Sequence, residues 1–148
     1  DVLLMKTSPF GSTITADDII DTVGFFDSWE DRYQYIIDLG KELPEMGAEK
    51  KDEAHLVRGC QSQVWIDGEE IDGHMWFEAD SDAFIVKGLL GVVLAAYNGK
   101  TPKQITGFDI DNYFGQLGLI KHLSPTRGNG LRSMVKRIQG MANSVNAH

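Results

Sequence analysis

The sequence predicts an α+β fold: a small three-stranded antiparallel sheet with helices packed on one face. Three observations point to it. Apolar residues recur at helical spacing between residues 15 and 42. The period then changes, and short β-rich runs bounded by Asp-Gly pairs fill residues 55–79. Helical patterns return at residue 83 and continue towards the C-terminus. Periods of 3.6 and 2 mark helices and strands respectively, and grouping them this way favours α+β over alternating β-α units.

The elements follow in order. Thr15 is expected to cap a helix running through Asp27, with Asp17 and Asp18 in the dipole-favoured first turn and Ile19, Ile20 and Val23 on its apolar face. A second helix is expected from Ser28 to Glu42, where Trp29, Tyr33, Ile36, Ile37 and Gly40 share a face, with Pro44 and Gly47 ending it. Residues 49–53 are charged and read as an exposed loop or turn. Residues 55–66 and 72–79 read as strands. Asp67-Gly68 and Asp72-Gly73 are expected to be turns, and His55–Val57 to add the third strand of a meander. Asp80-Ser81-Asp82 is expected to start the central buried helix, Ala83 to Tyr97, which is apolar on most sides. Its Gly88 and Gly91 allow close packing, and Asn98-Gly99 should close it in a left-handed cap. Short helices are expected near Pro102–Thr106 and Asn112–Leu117. A last one should begin near Gly128 with Leu131, Met134, Val135, Ile138, Met141, Ala142 and Val145 inward.

A chain of 148 residues suits one domain, and a domain of this size buries roughly 68–70% of its unfolded surface. Residues 1–148 are therefore read as one domain, with residues 1–8 a disordered or tag-derived arm. There is no repeat, low-complexity run or linker. The longest apolar stretch free of charge, Gly88 to Gly99, has 12 residues, against about 20 for a membrane span. No secretory signal pattern stands at the N-terminus. With a single cysteine, this favours the reducing cytoplasm. Net charge is −8, which argues against nucleic-acid binding. Residues 112–148 run against that balance: they carry Lys121, Arg127, Arg132, Lys136 and Arg137 and no acidic residue. Such a basic segment either packs on the acidic body or solvates a helix face, or else it contacts a partner.

Chemistry centres on Cys60, the one cysteine. A lone thiol forms neither an intramolecular disulfide nor a Cys-rich metal site. It is either a buried bystander, common for free cysteine, or a group that reacts with another molecule. Its surroundings, Val57-Arg58-Gly59-Cys60-Gln61-Ser62-Gln63-Val64-Trp65, favour the second reading. Gly59 permits close approach, and in an extended chain Arg58 shares the face of Cys60 and can lower its pKa. Among the histidines, His55, His74, His122 and His148, none stands at metal-ligand spacing with Cys60 or with another histidine. His122 within reach of Cys60 would make a Cys/His hydrolase the rival; a fully enclosed, unreactive Cys60 would make the chain a binding module with an incidental thiol.

The run Gly59-Cys60-Gln61-Ser62-Gln63-Val64-Trp65-Ile66 resembles the signature of the SufE/CsdE family of sulfur-acceptor proteins. Further similar blocks lie in family order: Trp29-Glu30-Asp31-Arg32-Tyr33, Leu39 to Pro44, Asp80-Ser81-Asp82 leading to Ile85-Val86-Lys87-Gly88-Leu89, and Leu123-Ser124-Pro125-Thr126-Arg127 to Gly130-Leu131. The resemblance implies that Cys60 takes persulfide sulfur from a SufS- or CsdA-type cysteine desulfurase. The chain would stimulate that enzyme and hand the sulfur to a downstream acceptor or Fe–S scaffold. The role is that of an accessory carrier rather than an enzyme. It needs no cofactor or metal on this chain, because pyridoxal phosphate belongs to the desulfurase. By the same resemblance Asp82 and Arg127 lie near the cysteine and the desulfurase contact, and Gln61, Ser62 and Gln63 can meet partner backbone. Absence of a second cysteine suits a carrier, since a neighbouring thiol would discharge the cargo as a disulfide. Such a cargo also needs shelter from reductants, so Cys60 is expected at a loop tip with its sulfur turned inward. The Gln61–Val64 core is closer to SufE and Pro9–Thr15 closer to CsdE, while Gly128-Asn129 replaces the family's usual Ser-Gln.

Overall fold

A computed structural model describes residues 2–146. Its elements are α1 (Val2–Met5), α2 (Ala16–Val23), α3 (Trp29–Gly40), β1 (Val64–Ile71), β2 (His74–Ser81), α4 (Phe84–Tyr97), α5 (Pro102–Gly107), α6 (Ile110–Leu117), α7 (Leu119–His122) and α8 (Pro125–Asn146). A 3-10 turn, Ala48–Lys50, precedes the sheet. Of the arm expected at residues 1–8, residue 1 lies outside the described residues. The rest is folded in: Met5 and Ser8 are buried, and Met5 packs beside the edge of β2.

Local chemistry sets the helix starts. The Thr15 hydroxyl accepts the Asp18 N–H, while the Asp18 carboxylate accepts the Thr15 N–H, closing a capping box on α2. Ser28 caps α3 more simply, its hydroxyl accepting the Asp31 N–H. Helix α4 is buried on nearly every side and carries the core. Helix α3 crosses it backbone to backbone: a Cβ on Gly88 would collide with the Ile36 carbonyl, so only glycine fits there. Gly91 receives the Phe10 ring.

The sheet corrects three expectations. Among the described residues it has two strands, not three. His55–Val57 forms a single bridge beside β1: Val57 donates to the Val64 carbonyl at 2.7 Å and Ile66 donates to the His55 carbonyl at 2.9 Å. The chain then turns away at Gly59, so the pairing stops after one bridge. Asp67-Gly68 is not a turn but lies inside β1, with Gly68 opposite Phe77. A Cβ on Gly68 would meet Met141 Sδ at 2.7 Å and the Phe77 ring at 3.1 Å, so this glycine makes room for α8. The hairpin turn is Asp72-Gly73, both at positive φ, the geometry of a tight two-residue connection.

The two faces of the hairpin differ in kind. Ile66, Ala79, Phe77 and Met75 face the helices and join the apolar core. On the opposite face Lys50 bridges Asp67 at 3.0 Å and Glu78 at 3.4 Å. Asp80, 3% exposed, takes Lys51 at 3.1 Å, Lys87 at 3.6 Å and the Met46 N–H. A buried carboxylate is tolerated when it is paired and hydrogen-bonded in this way.

Helix ends also depart from expectation, at both ends of α4 and at the start of α8. Helix α4 begins at Phe84 because Asp80 and Ser81 still belong to β2. At its other end Asn98 is extended rather than left-handed, and Gly99 alone takes positive φ. The Asn98 side chain is held instead: it accepts from the Phe77 N–H at 2.8 Å and donates to the Phe10 carbonyl at 3.1 Å. Helix α8 begins three residues before Gly128, at Pro125, with Ser124 accepting the Arg127 N–H.

Candidate functional site

Cys60 stands on a short loop between the Leu56 bridge to Trp65 and the start of β1, with both stems fastened. On the first stem, Arg137 of α8 donates to the Leu56 carbonyl at 3.1 Å and the Ala54 carbonyl at 2.7 Å. On the second, the Asp82 carboxylate accepts the Gln63 N–H at 3.1 Å and Ser81 Oγ donates to the Gln63 carbonyl at 2.7 Å. Between the stems Gly59 takes φ +92°, and a Cβ there would come within 2.5 Å of Ser133 Oγ. Both the backbone angle and the space call for glycine.

These restraints aim the cysteine inward. Cys60 Sγ lies 3.6 Å from the Gly130 carbonyl on α8, to which its thiol donates. A cavity of about 20 Å³ adjoins it, walled by Val86 and Leu89 of α4 and by Thr126, Arg127, Gly130 and Met134 of α8. Gln61 and Ser62 complete its mouth. The cysteine is half-buried, and burial pushes its thiol pKa up. A half-buried protonated thiol is a poor nucleophile at neutral pH. The site at rest therefore shelters a sulfur rather than activating one.

The predicted partners divide. Arg58 is not beside the sulfur in a strand. Its guanidinium pairs with Glu53 at 2.9 Å, with the two side chains 76% and 83% exposed, and no cation acts on the acidity of Cys60. The physical reason is the turn at Gly59, which breaks the alternation that an extended chain would impose. Asp82 does not cap α4, whose N-cap is Ala83 with no side-chain hydrogen bond; it fastens the cysteine loop instead. Gln61 and Gln63 are exposed. Arg127 reaches the cavity, and its Nη1 is buried without a hydrogen-bond partner.

The histidines stand elsewhere. His122 stacks on Trp29 at 4.7 Å between ring centroids and bonds the Gly118 carbonyl through Nδ1. His55 pairs with Asp52 and Asp67, and His74 with the Asp72 carbonyl. His148 lies outside the described residues. Among the described residues no histidine is hydrogen-bonded to Cys60, and no three His, Cys, Asp or Glu cluster as metal ligands. Nor is any described helix long and apolar enough to cross a membrane.

Reading the sequence alone missed the α8 side of the site: Gly130, Ser133, Met134 and Arg137. A signal existed. These residues fall at i, i+3, i+4 and i+7, one face of a helix. A helix begun at Gly128 already contains that face, but no local pattern says that it meets the Cys60 loop.

Comparison with known proteins bears on the family and the fold. The family model described as SufE, Fe-S metabolism associated domain, matches residues 17–142. An uncharacterized SufE-like protein of Rhizobium meliloti is 49% identical over 130 residues, covering 85% of this chain and 93% of the relative. Another from Rhizobium etli is 50% identical over 127 residues, covering 83% and 86%. In structure, a hypothetical protein of Thermus thermophilus superposes with a TM-score of 0.72 at 18% identity, covering 90% of this chain and 96% of that one; at that identity the likeness concerns the fold.

Proposed function

Since this chain belongs to the SufE, Fe–S metabolism associated, family, we propose that it is a sulfur carrier that accepts persulfide sulfur on Cys60 from a cysteine desulfurase. It stimulates that desulfurase by emptying its active-site cysteine, and passes the sulfur to a downstream acceptor or scaffold for Fe–S cluster assembly. The partner is of SufS or CsdA type, and pyridoxal phosphate resides there. The reaction suits a reducing cytoplasm, where a free thiol persists.

The observation that carries this reading is the shelter of Cys60 Sγ, turned from a surface loop into a small cavity walled by Val86, Leu89 and Met134. The Cys60 thiolate attacks the outer sulfur of the donor persulfide. A new S–S bond forms on Cys60 as the donor S–S bond breaks, and the electron pair leaves with the donor cysteine as its thiolate. No oxidant or reductant is consumed. Close approach needs the loop to swing outward; retraction then hides the cargo from thiols.

Desulfurase turnover tests the reading. Alanine formation from cysteine should rise severalfold when the wild-type chain is added, and Cys60→Ala should give no rise while melting at the wild-type temperature. Equal stimulation by wild type and Cys60→Ala would remove Cys60 from the mechanism.

A further inference from the structure

Resting on the carrier reading, we propose that Arg127 holds the outer sulfur of the Cys60 persulfide as an anion inside the cavity. Among the described residues, Arg127 Nη1 is the one buried side-chain nitrogen or oxygen without a hydrogen-bond partner. Leaving a buried donor unpaired is costly, the more so when the group is charged, so an orphan of this kind calls for an explanation in the molecule's working cycle.

Arg127 lines the same cavity as Cys60. At about 20 Å³ that cavity has room for roughly one water-sized group, and loading adds a single sulfur atom beyond Sγ. The chemistry of the walls then selects the form of that sulfur. A thiol has a proton to donate, and Cys60 gives it to the Gly130 carbonyl at 3.6 Å. A persulfide S–H is more acidic than a thiol and loses its proton to solvent near neutral pH. The resulting anion needs a donor rather than a carbonyl. Val86, Leu89 and Met134 offer none; Gln61, Ser62 and Thr126 carry neutral donors, and Arg127 brings the one charged donor of the lining, with its Nη1 unpaired. In a cavity this small a charge-assisted hydrogen bond is stronger than a neutral one and is poorly screened. The resting thiol makes no use of Arg127, because burial alone sets its acidity. Holding the cargo as an anion also protects it, since an anionic persulfide repels incoming thiolates until a partner draws the loop out.

The test loads sulfur without a desulfurase, so that any contact of Arg127 with a partner drops out. Wild type, Arg127→Gln, Arg127→Lys and Arg132→Gln are treated with inorganic polysulfide: the Cys60 thiolate takes one sulfane sulfur, and the shortened polysulfide leaves. Loading is verified by intact mass. The persulfide is then alkylated with iodoacetamide across a pH series, and separately discharged with dithiothreitol near neutral pH. Arg127→Gln should raise the apparent persulfide pKa by about one unit, a tenfold change, and speed discharge severalfold. Arg127→Lys should fall between, keeping the charge but losing the planar fork. Arg132→Gln should match wild type, since Arg132 pairs with Asp111 on the surface. Wild-type persulfide pKa and discharge rate in Arg127→Gln would overturn the proposal; if that variant does not fold, the same values in Arg127→Lys would do so. A wild-type protein that loads from polysulfide but never from desulfurase and cysteine would remove the carrier reading while leaving the role of Arg127 decided by these rates.

Discussion

Cys60 is held by a glycine on one side and a carbonyl on the other, and both have measurable consequences. Burial raises the thiol pKa above the ordinary cysteine value. The thiolate fraction at neutral pH is therefore smaller than for a free cysteine, and it grows only at higher pH than a free cysteine needs. Alkylation of the unloaded protein should accordingly be slower at pH 7 than for a cysteine peptide, with a midpoint displaced to higher pH. A midpoint at or below the peptide value would mean that a cation acts on the sulfur after all. At Gly59, alanine would be forced into φ +92° and against Ser133 Oγ. Gly59→Ala should cost about 2 kcal/mol in denaturant unfolding. Adding Ser133→Ala should recover only part of it, because the hydroxyl contact is relieved and the backbone strain is not.

At the scale of elements, the loop is a short strap fastened by α8 at one end and by the β2–α4 junction at the other. Arg137→Gln releases the Ala54 and Leu56 carbonyls, and Asp82→Ala releases the Gln63 N–H. Each change should raise the rate of Cys60 alkylation severalfold at fixed pH while far-UV circular dichroism stays unchanged. Unaltered alkylation in both variants would show that the stems do not restrain the sulfur. Elements were also where sequence reading succeeded and failed for identifiable reasons. Thr15 and Ser28 announce α2 and α3 because capping is local chemistry, complete within four residues. Asp67-Gly68 and Asp72-Gly73 are the same dipeptide, yet one is strand and the other turn. The difference lies in Met141, over seventy positions away in the chain, which occupies the space above Gly68. No local pattern carries that information. His55–Val57 likewise has the composition of a strand, but pairing ends where Gly59 turns the chain.

Taken as a whole molecule, the chain builds one packed frame around the Cys60 loop. The frame depends on the α3–α4 crossing, where Gly88 meets Ile36 backbone to backbone. Gly88→Ala should destabilise the protein by about 3 kcal/mol through forced separation of the helices; a loss below about 0.5 kcal/mol would show that the crossing can relax. The basic C-terminal segment serves this frame more than a solvated face does. Arg137 ties α8 to the loop stem and Arg127 lines the cavity, while Arg132 pairs at the surface. Cys60, Asp82 and Arg127 could be picked out of the sequence because a family resemblance groups them. Their placement, with Asp82 on the strap and Arg127 in the cavity, needed the fold, as did the turn at Gly59 that leaves Arg58 in solvent. Sulfur carriage requires that sulfur reach Cys60. Incubation with a cysteine desulfurase and cysteine, followed by intact-mass measurement without reductant, should show the wild-type chain heavier by one sulfur atom and Cys60→Ala unchanged. A wild-type mass that stays constant while the desulfurase turns over would contradict it.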